Sequence, residues 1–186
     1  MDKPIPNSYA WLVGVKRKSH MLLEGLIHHG IAEWPGEDHN PVILSWAKEA
    51  AEAGAGDWLE SFYQTDEIPW CGLFVAMLAA RSGFSVQPDC LAARGWLDWG
   101  ESVETPGLGD VLVFWRGSRE GRKGHVGLYI AEDAEYYHVL GGNQGNQVSI
   151  KRLDKDRFLE ARRGPGLPQA PVINLQDGAE ISHNEA

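Results

Sequence analysis

The chain has 186 residues, of which 43% are hydrophobic and 23% charged, the size and composition of one globular domain rather than of a disordered or fibrous chain. With 17 Lys and Arg against 26 Asp and Glu, its formal net charge is −9. The sequence contains no Lys/Arg-rich run that could follow a phosphate backbone, so we do not expect nucleic acid as a partner.

The first residues, Met1 to Pro6, lack the basic region, the apolar stretch and the cleavage site of a secretory signal. The sequence also lacks an apolar run of about 18 residues, so no membrane insertion is expected. We therefore expect synthesis in the cytoplasm without a signal peptide. Cys71 and Cys90 are too few for a disulfide framework and are expected to be free thiols.

Two helices are predicted in the first half of the chain. The first begins with Asn40 as its N-cap and Pro41 at its first helical position, and its apolar residues recur at helical spacing. The second covers residues 72–80, directly after Cys71, and stops at Gly83. Cys71 therefore lies on the first turn of an apolar helix.

The second half of the chain predicts β-strands. Short segments rich in β-branched and aromatic residues follow one another between turn residues, at 111–115, 125–130, 136–140 and 147–150. Helices first and an antiparallel meander second indicate an α+β fold, with the N-terminal helices packed on the antiparallel β-sheet.

Three features could carry chemistry, although each alone has a structural explanation. Cys71 lies where helix amides and the helix dipole stabilise a thiolate, but it could equally be a small buried apolar residue. His125 follows a polar loop and opens a strand, where it could act as a general base or simply pack. In the segment 141–146, a side-chain carbonyl could fix the imidazole tautomer, or the segment could be only a hairpin turn.

Five segments taken together resemble phage- and prophage-encoded cell-wall peptidases related to the NlpC and CHAP groups. They are residues 68–75 (Ile-Pro-Trp-Cys-Gly-Leu-Phe-Val), 92–100, 109–114, 124–129 (Gly-His-Val-Gly-Leu-Tyr) and 139–146 (Val-Leu-Gly-Gly-Asn-Gln-Gly-Asn). The resemblance covers about residues 30 to 160. It implies a papain-like cysteine peptidase with Cys71 as nucleophile and His125 as base, hydrolysing amide bonds in peptidoglycan.

The third catalytic position is less fixed by this resemblance. In NlpC relatives it is usually a polar residue, often His, in the strand after the base, whereas CHAP-type enzymes place Asn near the end of that strand. Asn143 matches the second pattern and is preferred. His138, on the same strand, and Gln144 remain alternatives.

The surrounding residues complete the expected site. The Cys71 amide is a natural oxyanion donor, and Gln64 or Tyr63 could supply a second. Cys90 is expected to be a structural thiol, because Asp89 beside it opposes a thiolate. Trp70, Trp96 and Trp99 are expected in the core rather than in a cleft, and the histidines near residues 28–39 do not have the spacing of a metal site. Thiol chemistry needs no metal, and no cofactor is expected.

These features predict three regions: residues 1–29 as a helical N-terminal extension, 30–163 as the papain-like catalytic domain, and 164–186 as a flexible tail rich in Gly and Pro. The substrate expected is peptidoglycan, reached after release or delivery, with a phage virion or a secretion system as a possible partner. The alternative is a non-catalytic wall-binding or virion structural module on the same fold. The bond that is cut and the oligomeric state stay open.

Overall fold

The structure, a computed structural model, describes residues 4–182 as an α+β fold built on one six-stranded antiparallel sheet. The helices are α1 (Trp11–Gly14), α2 (His20–Ile27), α3 (Pro41–Ala50), α4 (Trp58–Phe62) and α5 (Cys71–Arg81). The strands are β1 (Glu101–Val103), β2 (Val111–Trp115), β3 (Gly124–Glu132), β4 (Tyr136–Gly141), β5 (Ser149–Asp154) and β6 (Phe158–Arg163).

Both predicted helices are present. The side chain of Asn40 caps α3 by accepting a hydrogen bond from the Val42 amide, and Pro41 occupies the first position of the helix. Helix α5 begins at Cys71 itself and ends at Arg81, shortly before Gly83 with its φ of 78°. The predictions of a capped helix at residue 41 and of Cys71 on the first turn of the second helix are confirmed.

The sheet has the strand order β1-β6-β2-β3-β4-β5. Strands β2 to β5 form the predicted meander, in which each strand pairs with the next one along the chain. Strand β6 returns to the free edge of β2 and carries β1 on its other side. Strand β6 has the sequence Phe-Leu-Glu-Ala-Arg-Arg. Its three charged residues interrupt the apolar ones, so the sequence did not predict this strand.

The sheet separates two apolar clusters. Helix α5 packs against α2, α3 and β3, and on this face Val126, Leu128 and Ile130 of β3 join the main core. The opposite face carries a smaller cluster that includes Phe114 of β2 and Tyr129 of β3. Helix α5 thus packs against β3, the strand in which His125 is the second residue.

The N-terminal region contributes to the body of the fold. Helix α2 packs against α5 and β4, and a Cβ on its Gly25 would lie 2.9 Å from Leu140 Cδ2. Residues 20–27 are therefore part of the core in addition to being helical. Residues 1–3 of the predicted extension lie outside the described part of the chain.

The expected flexible tail is instead docked on the body over its described part, residues 164–182. Four backbone hydrogen bonds of 2.8 to 2.9 Å join it to the loop before β2, to the end of β3 and to β5: Leu108 N to Pro171 O, Glu132 N to Ile173 O, Leu175 N to Glu132 O and Ser182 N to Arg152 O. The Gly/Pro-rich composition that indicated flexibility is compatible with an extended segment satisfied by such bonds. Residues 183–186 lie outside the described range. Within residues 4–182, no helix has both the length and the apolarity to cross a membrane.

Candidate active site

Cys71 is the first residue of α5 and is only 7% exposed. The helix can start this deep in the fold because Gly72 follows. A Cβ on Gly72 would lie 2.2 Å from the carbonyl oxygen of Cys90 and 2.6 Å from that of Leu91. Any larger residue would push the start of α5 away from the segment 90–91, so this glycine fixes where the thiol stands.

The surroundings of the Cys71 thiol act on its pKa in opposite directions. Burial raises the pKa, since the charged thiolate loses solvation, and this effect prevails. Hydrogen bonds from the backbone amides of Val126 and Gly72, together with the positive charge of Arg116, lower it. The resting group is therefore a thiol whose ionised form already has donors in place, and it needs a base to remove the proton.

His125 lies on β3, directly opposite Phe114 of β2, and is fully buried. The next residue, Val126, is the one whose amide meets the Cys71 thiol. The contact between the start of α5 and the start of β3 therefore places the Cys71 thiol at the residue that directly follows His125 in the chain.

A hydrogen bond of 3.1 Å joins His125 Nε2 to Gln144 Oε1. The amide nitrogen of Gln144 donates to the carbonyl oxygens of Val139 and Ser149, so its oxygen must be the atom that faces the imidazole. Nε2 of His125 therefore carries the hydrogen in the neutral ring. Nδ1 is then the nitrogen that can accept a proton, as a general base requires.

Two glycines at the end of β4 allow this close packing. A Cβ on Gly141 would lie 3.0 Å from both His125 Nε2 and Gln144 Oε1. A Cβ on Gly142 would lie 2.7 Å from ring carbons of Trp70, the residue before Cys71. The absence of side chains at 141 and 142 lets the end of β4 touch the histidine and the helix start together.

Asn143, the preferred third residue, lies in this loop but does not hold the hydrogen-bonding position on Nε2. It has a φ of 56°, in the left-handed region that Asn tolerates better than most residues, and it is 4% exposed. The turn at Asn143 points the following residue, Gln144, at the histidine. Gln144, the lesser alternative in the sequence, is thus the residue that contacts His125.

His138 is held elsewhere. It stands opposite Ala131 near the other end of β3, where Nδ1 lies 2.9 Å from the Tyr9 hydroxyl and Nε2 lies 3.2 Å from Asp133 Oδ2. These contacts tie the N-terminal segment to the sheet. His138 therefore belongs to a structural network and not to the candidate site.

The two side chains considered as second oxyanion donors are engaged in other contacts. Tyr63 is buried and its hydroxyl donates to the carbonyl oxygen of Ile68, while the amide of exposed Gln64 donates to the carbonyl of Glu60. The donors found at the thiol are backbone amides: those of Cys71, Gly72 and Val126. Of these, only the Cys71 amide was expected.

The remaining predictions concern residues outside the site. Cys90 is fully buried, and burial together with the charge of Asp89 raises the pKa of its thiol to about 12, as expected for a structural cysteine. Trp70 and Trp96 are fully buried core residues. Among the described residues, no group of three or more His, Cys, Asp or Glu is arranged to hold a metal ion.

Comparison of the chain with protein-family models, with the curated proteins and with the solved structures gave no match.

Proposed function

We propose that this protein is a cysteine hydrolase that cleaves amide bonds in bacterial peptidoglycan, with Cys71 as nucleophile, His125 as base and Gln144 as the residue that orients the base. The observation that supports it most is the combination of a helix-start thiol, amide donors around that thiol, and a neighbouring histidine whose tautomer is fixed by a buried glutamine. Each part alone has a structural explanation, whereas together they match what nucleophilic thiol catalysis requires.

The proposed reaction begins when His125 Nδ1 takes the proton of the Cys71 thiol and the sulfur attacks the carbonyl carbon of the amide. The negative charge that develops on the carbonyl oxygen is stabilised by backbone amides at the start of α5. His125 then returns the proton to the nitrogen of the leaving amine as the C–N bond breaks. Water, deprotonated by the same histidine, hydrolyses the thioester and restores the thiol.

Support for a papain-like arrangement comes from the order of the elements. A nucleophile at the head of an apolar helix, followed by an antiparallel sheet that carries the base, is the plan that the resemblance to NlpC and CHAP peptidases implies. Peptidoglycan as substrate rests on that resemblance. So does action on the cell wall after release or delivery, with a phage virion or a secretion system as the carrier.

Digestion of purified sacculi tests the proposal. Wild-type protein and Cys90→Ala are expected to release soluble fragments, whereas Cys71→Ala is expected to release none, since no other group replaces the thiolate. Mass spectrometry of the new termini then identifies the bond. Undiminished release by Cys71→Ala contradicts the proposal.

A second candidate is a non-catalytic wall-binding or virion structural module. The observation in its favour is that Cys71 is 7% exposed and that burial raises its pKa. Such a module would bind sacculi without releasing fragments, and Cys71→Ala would bind as well as the wild type. A sedimentation assay of binding, run beside the digestion, separates the two functions.

A further inference from the structure

The loop between β2 and β3 carries a concentration of positive charge in an otherwise acidic chain. Residues 116–123, here called the cationic hairpin, read Arg-Gly-Ser-Arg-Glu-Gly-Arg-Lys, with four cations against one acid. The chain as a whole has a net charge of −9. The surplus is therefore local, and it lies immediately before His125 in the sequence.

The strand register places the base of the cationic hairpin beside the site. Phe114 stands opposite His125, Trp115 stands opposite Gly124, and the Arg116 amide donates to the Lys123 carbonyl at 3.1 Å. Arg116 and Lys123 therefore lie at the end of the strand pair that carries His125, with Lys123 two residues before that histidine. Arg116 is also close enough to Cys71 to lower the pKa of its thiol.

The cationic hairpin is held in shape by a residue outside it. The Arg94 guanidinium, from the 3₁₀ segment Ala93–Asp98, donates to the carbonyl oxygens of Ser118, Arg119 and Lys123 at 2.9 to 3.3 Å. Gly124 packs against the same arginine, since a Cβ there would lie 3.4 Å from Arg94 Cγ. The loop is thus anchored in position next to the thiol.

Within residues 4–182, the side chains of the cationic hairpin take part in no ion pair. The arginine ion pairs of the described chain join Arg81, Arg152, Arg162 and Arg163 to carboxylates. Arg119 reaches the Phe158 carbonyl, at 3.5 Å. Arg116, Arg122 and Lys123 have no carboxylate partner among residues 4–182, and Arg122 and Lys123 are exposed. An anionic group brought to the thiol would meet the charge of Arg116 first.

We propose that Arg116, with Lys123 beside it, binds a carboxylate of the substrate next to the amide bond that Cys71 attacks. As a claim about substrate class, this rests on the proposed hydrolase function. A guanidinium fits a carboxylate because its parallel N–H groups match the two oxygens. The peptides of bacterial cell walls carry free carboxylates close to their amide bonds, so such a group is available in the proposed substrate.

The charge around the thiol can be measured without any assumption about the reaction. Iodoacetate and iodoacetamide are similar in size and differ in charge, and in both cases the thiolate displaces iodide. The ratio of their rates at Cys71, followed by mass spectrometry of the cysteine peptide, cancels any change in the thiolate fraction. Arg116→Gln is expected to lower this ratio about fivefold, and Lys123→Gln less, with both effects shrinking in about 0.5 M salt.

Lys48→Gln is the matched control. Lys48 is exposed and lies near the end of α3. The next residue, Glu49, pairs with Arg81, which ends α5, whereas Cys71 begins that helix. The charge of Lys48 is therefore remote from the thiol. This variant should keep the wild-type ratio. Equal ratios in wild type and Arg116→Gln overturn the inference. A Cys71 that reacts with neither reagent overturns it together with the proposed function, because a peptide could not reach that thiol either.

Hydrolysis of paired substrates gives the second test. Two stem peptides share the same scissile amide, and the neighbouring carboxylate is free in one and amidated in the other. Wild-type protein should prefer the free carboxylate about tenfold in kcat/KM, and Arg116→Gln should lose most of that preference through KM. Equal cleavage of both peptides contradicts the inference but leaves the hydrolase function standing. Cleavage of neither contradicts the hydrolase function, while the alkylation ratio still decides the charge at the site.

Discussion

The direction of the His125 ring depends on one buried amide. Gln144 offers its oxygen to Nε2, and two backbone carbonyls hold the other end of the same side chain. A ring fixed in this way presents Nδ1 as the basic nitrogen for the proposed reaction. The pair packs directly over Gly141, which leaves little room for the ring to turn.

Gln144→Leu should lower kcat by about 10- to 100-fold with a smaller change in KM, because the histidine loses the partner that fixes its tautomer. Steady-state kinetics on a cell-wall peptide measures this effect. Circular dichroism must show that the variant is folded, since the carbonyls of Val139 and Ser149 also lose their donor.

Asn143→Gly is the control for this experiment. Glycine accepts the φ of 56° at this position without strain, so the variant removes the side chain and keeps the turn. It should retain wild-type kcat. The opposite outcome, with Asn143→Gly inactive and Gln144→Leu active, would mean that Asn143, and not Gln144, is the residue that orients His125.

For single residues, the sequence predicted Cys71 and His125 as a pair. It did not predict that Gln144, rather than Asn143, is the residue that bonds His125. Adjacent residues in a turn point in different directions, and which of them faces the ring depends on a backbone torsion. The left-handed conformation at Asn143 decides this. An Asn followed by Gln-Gly at the end of a strand is compatible with several such turns.

Among the elements, α5 decides the position of Cys71, the proposed nucleophile. Its first turn lies against the carbonyls of residues 90 and 91, with Gly72 at the contact. The fully buried side chain of Trp96 holds this segment from the other side, since its indole N–H donates to the Cys90 carbonyl at 3.0 Å. Cys90 therefore contributes to the site through its backbone and not through its thiol.

Gly72→Ala should lower the free energy of unfolding by about 1–3 kcal/mol, because the added methyl group cannot fit without moving α5 or the segment 90–91. Urea unfolding followed by tryptophan fluorescence measures the change. Gly14→Ala, at the end of α1, places its Cβ where no atom lies within 4 Å and should leave stability unchanged or slightly increased. Equal stability of the two variants would mean that the contact at Gly72 relaxes freely.

Periodicity identified the elements that are apolar throughout and missed those that are not. Helix α5 and strands β2 to β4 bury mainly apolar residues, whereas β5 continues through Lys151 and Arg152 to Asp154 and was predicted only as far as Ile150. Strand β6 lies between β1 and β2, yet it carries Glu160, Arg162 and Arg163. Arg163 is accommodated by a buried ion pair with Asp110, at 2.6 to 2.9 Å, which no local pattern reveals.

At the scale of the whole molecule, a contact joins the N-terminal and C-terminal segments of the described chain. The Tyr9 hydroxyl lies 2.9 Å from His138 Nδ1 and accepts a hydrogen bond from the Ala179 amide at 2.8 Å. Nε2 of the same histidine bonds Asp133. The described tail was not predictable because its bonds are made by backbone atoms, which composition does not report.

This network makes stability depend on pH. Burial lowers the pKa of His138 in the folded protein below the value of about 6.5 for an exposed histidine. As the pH falls through 6.5, the unfolded chain takes up a proton that the folded chain does not, so stability decreases on acidification. The pKa of Asp133 is also lowered, through hydrogen bonds to its carboxylate, so a second loss is expected below about pH 3.9.

Chemical unfolding between about pH 7 and pH 5.5 checks the first of these losses. Wild-type protein should become less stable over this range. His138→Gln, which has no proton to gain, should lose less stability over the same range even if it is less stable at pH 7. The same slope in both proteins would assign the pH dependence to other groups.

The contact between the N-terminal and C-terminal segments also bears on the order in which the protein is made. A ribosome releases Tyr9 long before Ala179, and 170 positions separate the two partners of that hydrogen bond. The residues of α5 and of the β2–β5 meander are all synthesised before Ala179, so this one hydrogen bond of Tyr9 has to wait for the last part of the described chain. This bond between the N-terminal segment and the tail can therefore form only after Cys71 and His125 have been synthesised.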